Sequence, residues 1–144
     1  MSPRPYRMAR RRETTNETRL RIISAARELL ARRGGSTRFS IEEVARRAGV
    51  ARMTVYHQFG SFQGLIEALC DSLASAGGMQ HLADAFRLKD PLEALDEFVA
   101  VFMRFWSADR AVRRGLRAMA VLDPDIAAVL EERSGWRRKG LKVL

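Results

Sequence analysis

The sequence predicts an all-α protein, in which an N-terminal three-helix unit is followed by a helical bundle. Apolar residues recur at helical spacing along most of the chain. No stretch alternates apolar and polar residues for long enough to indicate a strand. The dipeptides Asp90-Pro91 and Asp123-Pro124 are matching helix starts, because Asp caps free N–H groups and Pro fits the first turn.

Composition excludes several classes of protein. At 144 residues, 47% hydrophobic and 30% charged, the chain is typical of one globular domain or of a small module joined to a bundle. No apolar run approaches the ~20 residues of a membrane span, so we expect a cytoplasmic protein. The single cysteine, Cys70, excludes a disulfide framework and a cysteine-cluster metal site, and we expect no cofactor.

The positive charge is concentrated in one part of the chain. Residues 1–60 contain 14 arginines and 5 acidic residues, whereas residues 61–144 contain 12 basic and 12 acidic residues. The whole net charge of +9 therefore belongs to the N-terminal part. Such a concentration favours contact with a phosphate backbone, although basic surfaces are also common for other reasons.

Residues 1–16 predict a basic arm without fixed structure, because they contain few apolar side chains and the run Arg10, Arg11, Arg12. Two interpretations remain open. The arm follows phosphates or enters the minor groove of DNA, or it is a solubilising tail. The first helix should then run from about residue 17 to residue 33 and end at two glycines. Its apolar stripe is Leu20, Ile23, Ala26, Leu29 and Leu30.

Residues 40–59 predict two short helices around one glycine. Ser40 and Glu43 form a capping box at the start of the first helix, and Gly49 supplies the tight turn after it. The inner face of the first helix consists of Ile41, Val44, Ala45 and Ala48. The spacing is that of a helix-turn-helix, which places its second helix in the major groove of DNA. A helical hairpin without DNA binding is the alternative.

The second of these helices begins after Val50 and should bury Ala51, Val55 and Phe59. The residues that it presents outward or along its flanks are Arg52, Met53, Thr54, Tyr56 and His57. We expect a fourth helix from the cap at Ser61 to about residue 76. Further helices are predicted at about 82–88, 91–107, 109–122 and after 124.

The helix that begins at Pro91 is unusually aromatic. Such a stripe more often belongs to a core, but large apolar residues from several helices also line cavities for small hydrophobic ligands. The candidate pocket residues are Leu69, Leu73, Phe98, Phe102, Met103, Phe105, Trp106, Met119 and Leu122.

The N-terminal pattern resembles the TetR (AcrR-type) family of helix-turn-helix transcriptional regulators over about residues 17–70. The residues that carry the resemblance are Glu17, Thr18, Arg19, Ile22, Ile23, Ala25, Ala26, Leu29, Leu30, Arg33, Gly34, Ile41, Val44, Ala45, Ala48, Gly49, Val50, Thr54, Val55, Tyr56, Phe59, Ser61 and Leu65. The resemblance implies a DNA-binding domain at 17–62 and a helical ligand-binding and dimerisation domain at 63–144. It also implies a homodimeric repressor on a palindromic operator, released by a small-molecule effector.

Carried onto this sequence, the resemblance implies that Arg52, Met53 and Thr54 meet base edges or nearby phosphates. Tyr56, His57 and Ser40 would contact the backbone, which positions the domain without specifying bases. Arg10, Arg11 and Arg12 are candidates for a DNA-binding arm.

The sequence departs from the family pattern at three places. Phe62 stands where the family often has a phosphate-contacting Lys, and Phe39 stands where it often has Thr. We expect Arg38 or the N-terminal arginines to replace the lost contact. The chain ends at Leu144, where members usually continue for about two helices that form the dimer interface. We therefore expect a regulatory bundle that is truncated at its C-terminal end, with dimerisation left open.

Two other functions remain as alternatives. The chain is a DNA-binding module without ligand sensing, its second half a scaffold, or, remotely, an enzyme. The only histidines, His57 and His81, have no spacing to a nucleophile or metal set, which argues against catalysis. Cys70 lies on an apolar stripe and is expected to be buried filler.

Overall fold

The computed structural model describes residues 4–32 and 39–143. These residues form eight α-helices and one short 3-10 turn, without a strand, so the all-α prediction is confirmed. The helices are α1 (Arg4–Ala31), α2 (Ile41–Ala48), α3 (Arg52–Phe59), α4 (Phe62–Ala76), α5 (Leu82–Ala85), α6 (Pro91–Ser107), α7 (Arg110–Leu122) and α8 (Pro124–Val143), with the 3-10 turn at Met79–His81.

The N-terminal segment differs from the predicted arm, because α1 begins at Arg4 and includes residues 4–16. This segment consists largely of good helix formers, and its side chains from residue 7 to residue 17 are exposed. The hydroxyl of Thr14 donates to the Arg10 carbonyl at 2.9 Å, and the hydroxyl of Thr15 donates to the Arg11 carbonyl at 2.7 Å. The segment is therefore a solvent-exposed continuation of a helix whose later turns are anchored in the core. The predicted stop at residues 33–35 lies outside the described residues.

Local signals set the turn between α2 and α3. The Glu43 N–H donates to the Ser40 hydroxyl at 3.2 Å, and the Glu43 carboxylate pairs with Arg46 rather than returning to the cap. Gly49 has φ +69°, a left-handed conformation that side chains rarely adopt. The Val50 N–H then donates to the Ala45 carbonyl at 3.0 Å, which closes the turn.

One apolar core joins the first four helices. Among its fully buried side chains are Ile22 from α1, Val44 from α2, Val55 from α3 and Ile66 from α4. Leu20, predicted to be on the inner stripe of α1, is instead 67% exposed.

Ala51, predicted to be inward on α3, is also exposed, because it precedes the helix as an extended N-cap residue. Phe59 is half-buried, with the Arg19 guanidinium 4.5 Å from the centre of its ring.

The two aromatic departures from the family pattern pack against each other. Phe39 lies just before α2 and Phe62 begins α4, and their ring centroids are 6.0 Å apart at a tilt of 55°. Phe39 is buried, and Phe62 packs against the core. The start of α4 is thus attached to the helix-turn-helix unit through an apolar contact.

The second half wraps around the continuation of α4. Helix α7 packs on α1, and α8 packs on both α4 and α7. Helix α6 contacts α4 and carries a series of ring contacts from Phe98 through Phe102 and Phe105 to Trp106. The helix predicted at 82–88 is shorter, and the 3-10 turn precedes it. Within the described ranges, no helix combines the length and the apolar character that crossing a bilayer requires.

Candidate nucleic-acid interface and cavity

Helix α3 turns its predicted reading residues away from the core. Its side chains at Arg52, Met53 and His57 are exposed, and Met53 is 59% exposed although it is apolar. Thr54 and Tyr56 are half-buried at the flanks. An exposed helix with one buried Val and a mixed polar outer face has the form that a major groove accepts.

Arg52 is held in place before any contact with a ligand. Its guanidinium donates to the Tyr56 hydroxyl at 3.3 Å and lies 3.1 Å from a carboxylate oxygen of Glu42. The hydrogen bond with Tyr56 and the charge of Glu42 raise the pKa of Arg52. The arginine is therefore oriented at the N-terminus of α3, and the Glu42 carboxylate competes with any phosphate that approaches it.

Two hydrogen bonds tie the end of α3 to the middle of α1. The Gln58 side-chain amide donates to the Thr15 carbonyl at 3.2 Å, and Arg19 donates to the Gln58 carbonyl at 3.0 Å. The exposed turn containing Arg10, Arg11 and Arg12 precedes this junction on the same helix. The sequence analysis missed Gln58 and Arg19 because their role depends on how α1 crosses α3.

The remaining backbone candidates are divided. Ser40 is half-buried, and its hydroxyl oxygen accepts the cap hydrogen bond, while its own hydrogen stays available to an acceptor. Arg38, the expected substitute for the missing Lys, lies outside the described residues.

A cavity of about 390 Å³ lies between α4, α6, α7 and α8. It is lined by five of the nine predicted pocket residues, Leu73, Phe98, Phe102, Phe105 and Trp106. Its volume falls in the range of small-molecule sites.

The other four predicted pocket residues lie elsewhere. Leu69 is fully buried in the core, and Met119 packs against that core. Leu122 is 77% exposed at the last residue of α7. Met103 is 63% exposed and lines a shallower neighbouring groove. Helical spacing identified the apolar positions, but the direction of each face depends on which helix packs opposite.

The sequence analysis also missed the polar wall of the cavity. Arg113 and Arg117 on α7, and Arg133 and Arg137 on α8, all line it. Each pair is spaced i, i+4, which puts both members on one helix face. That repeated spacing was the signal available in the sequence.

Arg113 is the most constrained of these side chains. Its guanidinium lies 3.7 Å from the centre of the Phe105 ring and donates to the carbonyls of Ala108 and Leu73 at 3.0 and 3.4 Å. Burial lowers its pKa, and the charge of Asp109 acts in the opposite direction. Cys70 also lines the cavity at 7% exposure, and burial raises the pKa of its thiol.

The cavity and the helix-turn-helix unit share one interface. The Arg27 guanidinium of α1 contacts the Asp109 carboxylate at 2.6 Å and donates to the Ser72 hydroxyl of α4 at 3.3 Å. Asp109 caps the start of α7 at φ +51°. Four residues later on α7, Arg113 faces the cavity. The same helix therefore contacts the cavity on one side and α1 on the other.

Comparison with known proteins agrees with this architecture. Residues 22–69 match the family model described as bacterial regulatory proteins, tetR family. The chain is 37% identical over 86 residues to the probable HTH-type transcriptional regulator ArpR of Pseudomonas putida, covering 60% of this chain and 40% of that protein. It is 36% identical, with the same coverage, to the HTH-type transcriptional regulator TtgR of a second strain of that species.

A third similar protein is the HTH-type transcriptional regulator AlkX of Mycobacterium tuberculosis, 42% identical over 53 residues, which are 37% of this chain and 25% of that protein. The matched region thus spans less than half the length of each of these relatives. On its helix-turn-helix region, this chain belongs to the TetR family of bacterial regulatory proteins.

Proposed function

We propose that this chain acts in the cytoplasm as a sequence-specific DNA-binding transcriptional regulator, and that it is a repressor released by a small hydrophobic ligand. The observation that carries the proposal is the outer face of α3, where Arg52, Met53 and His57 are exposed at the end of a capped, glycine-closed turn. The named relatives are transcriptional regulators, which supports the same function.

Each predicted contact has a chemical role. Arg52 stands at the N-terminus of α3, and its planar fork suits the two acceptors of a guanine edge. Met53 and Thr54 offer apolar contacts to a thymine methyl group. Tyr56, His57 and Ser40 donate to phosphates, and the exposed arginines of α1 add attraction that depends on salt.

Ligand release requires that the cavity and α3 move together. Helix α4, which lines the cavity, begins two residues after α3 ends, and α7 connects the cavity to α1. We propose that two copies dock on consecutive major grooves, which are ~34 Å apart. A ligand that favours another position of α4 and α7 changes this separation and so disfavours docking of both copies.

The proposal is tested by selecting duplexes from a randomised library with the purified chain. Fluorescence anisotropy then measures the affinity of the selected duplex for the chain and for Arg52→Ala. We expect the substitution to weaken specific binding by about tenfold to a hundredfold, which is the value of one good base contact. Arg104→Ala is the matched control, because it removes the same charge from α6, where Arg104 pairs with Glu97.

Three results separate the components of the proposal. No enrichment of any duplex would contradict sequence-specific DNA binding. An equal affinity of the wild type and Arg52→Ala would contradict the assignment of Arg52 alone. Sedimentation of the chain with the selected duplex measures whether two copies bind, and ligands that fill the cavity without weakening DNA binding would leave a regulator without ligand sensing.

A further inference from the structure

The cavity has a cationic wall that its apolar content does not explain. Arg113, Arg117, Arg133 and Arg137 all line it, while no Asp or Glu is among its lining residues. Apolar cavities that bind neutral ligands have little use for such a wall, because each guanidinium loses hydration there.

Three of these guanidinium groups surround one indole. The centre of the Trp106 ring lies 5.5 Å from Arg113, 4.8 Å from Arg117 and 4.9 Å from Arg137. The last two lie at most about 10 Å from each other, where like charges in a partly buried site repel. The ring attracts cations through its face, but it supplies no negative charge to balance them.

The available counter-charges serve other arginines. Arg133 pairs with Asp71 at 2.7 Å, and Arg113 donates to backbone carbonyls. Within the described ranges, no carboxylate lies in ion-pair distance of Arg117 or Arg137. Burial and the charges of Arg117 and Arg138 lower the pKa of Arg137, which is the signature of uncompensated positive charge.

We propose that the effector of this regulator is an organic acid, with an aromatic body in the cavity and a carboxylate or sulfonate between Arg117 and Arg137. The body stacks among Phe98, Phe102 and Trp106, and the anion accepts hydrogen bonds from both guanidinium groups. This inference depends on the proposed function, because it names the chemistry of the ligand that the cavity would sense. Charge-assisted hydrogen bonds would make the anion the main source of selectivity.

A matched pair of fluorescent probes tests the inference. Anilinonaphthalene sulfonate carries an anion, and N-phenylnaphthylamine has the same ring skeleton without it. The chain contains two tryptophans, Trp106 and Trp136, and both line the cavity. Energy transfer from tryptophan to a bound probe therefore reports occupation of this cavity.

We expect the sulfonate probe to bind at least about tenfold more tightly than the neutral probe. The double variant Arg117→Gln/Arg137→Gln should lose most of this preference while its affinity for the neutral probe changes by less than about threefold. Arg114→Gln, on the exposed face of α7 and outside the cavity, should keep the preference. Arg137→Lys retains the charge and should retain most of the preference, which guards against a misfolded double variant.

Equal binding of the two probes would overturn the inference while leaving the cavity as a ligand site. A sulfonate preference that survives the double substitution would also overturn it, because the anion would then be held elsewhere. If neither probe binds, both the inference and ligand sensing fail. Binding of the selected duplex, measured without any probe, tests the DNA-binding function separately from all three results.

Discussion

The contact between α7 and α1 predicts a specific response to one added methyl group. Gly115 lies in the middle of α7 against the backbone of Leu30. A Cβ at this position would overlap the Leu30 carbonyl oxygen and lie 2.8 Å from its carbonyl carbon. Because the obstacle is backbone, no side-chain rotation relieves the overlap. Gly115→Ala should therefore force the two helices apart.

The magnitude follows from two opposing terms. Overpacking a tight interface costs about 1–3 kcal/mol, and the upper end applies here because the partner is backbone. Alanine in a helix interior returns about 1 kcal/mol relative to glycine. We expect a net loss of about 2 kcal/mol in the free energy of unfolding. For a chain of this size, that loss lowers Tm by roughly 6 °C.

Gly135→Ala provides the matched control. Gly135 lies in α8, and an added Cβ would meet nothing within 4 Å. Here only the helix propensity acts, so the variant should gain about 0.5–1 kcal/mol and roughly 2 °C in Tm. Thermal and urea unfolding followed by circular dichroism measure both variants. If Gly115→Ala is stabilised as much as Gly135→Ala, then α7 does not pack on α1 as described.

Three further predictions concern charge. Glu42→Gln should raise the affinity for DNA by about threefold to tenfold at low salt, because it frees Arg52 and removes a negative charge; an anisotropy titration with no change would contradict this. Asp109→Asn keeps the left-handed backbone but loses the ion pair with Arg27, so thermal unfolding should show a fall of about 3 °C that shrinks in high salt; a fall independent of salt would argue against the ion pair. Because burial raises the pKa of Cys70, the folded state holds its proton more tightly, so stability should decline above the ordinary pKa of a thiol. A thiol reagent at about pH 8 should react far more slowly with the native chain than in urea, and equal rates would contradict the burial.

The helix-turn-helix could be predicted in detail because its determinants are local. Ser40 caps α2 through a hydrogen bond to the third residue beyond it, and Gly49 provides the positive φ of the turn. Neither depends on the rest of the chain. The same is true of Asp90, whose carboxylate accepts the Leu92 N–H at 2.8 Å at the start of α6.

Sites formed by several helices were less predictable. Leu122 and Phe105 both follow helical spacing, yet Leu122 is 77% exposed and Phe105 lines the cavity. The difference depends on which helix packs opposite each face, and one sequence does not contain that information. Arg117 and Arg137 come from different helices, so their meeting around Trp106 also appears only in the folded chain.

The extension of α1 has a mechanical consequence. A single helix runs from Leu30, which contacts α7, back to the exposed arginines near residue 10. Twenty residues of helix span ~30 Å, so α1 is a lever with its pivot at the α7 contact. A tilt of only about 5° at the pivot would move the far end by roughly 2.6 Å. Because Thr15 is tied to Gln58, the same tilt would carry α3 with it, and a change at the cavity too small to alter the core would still displace the reading helix.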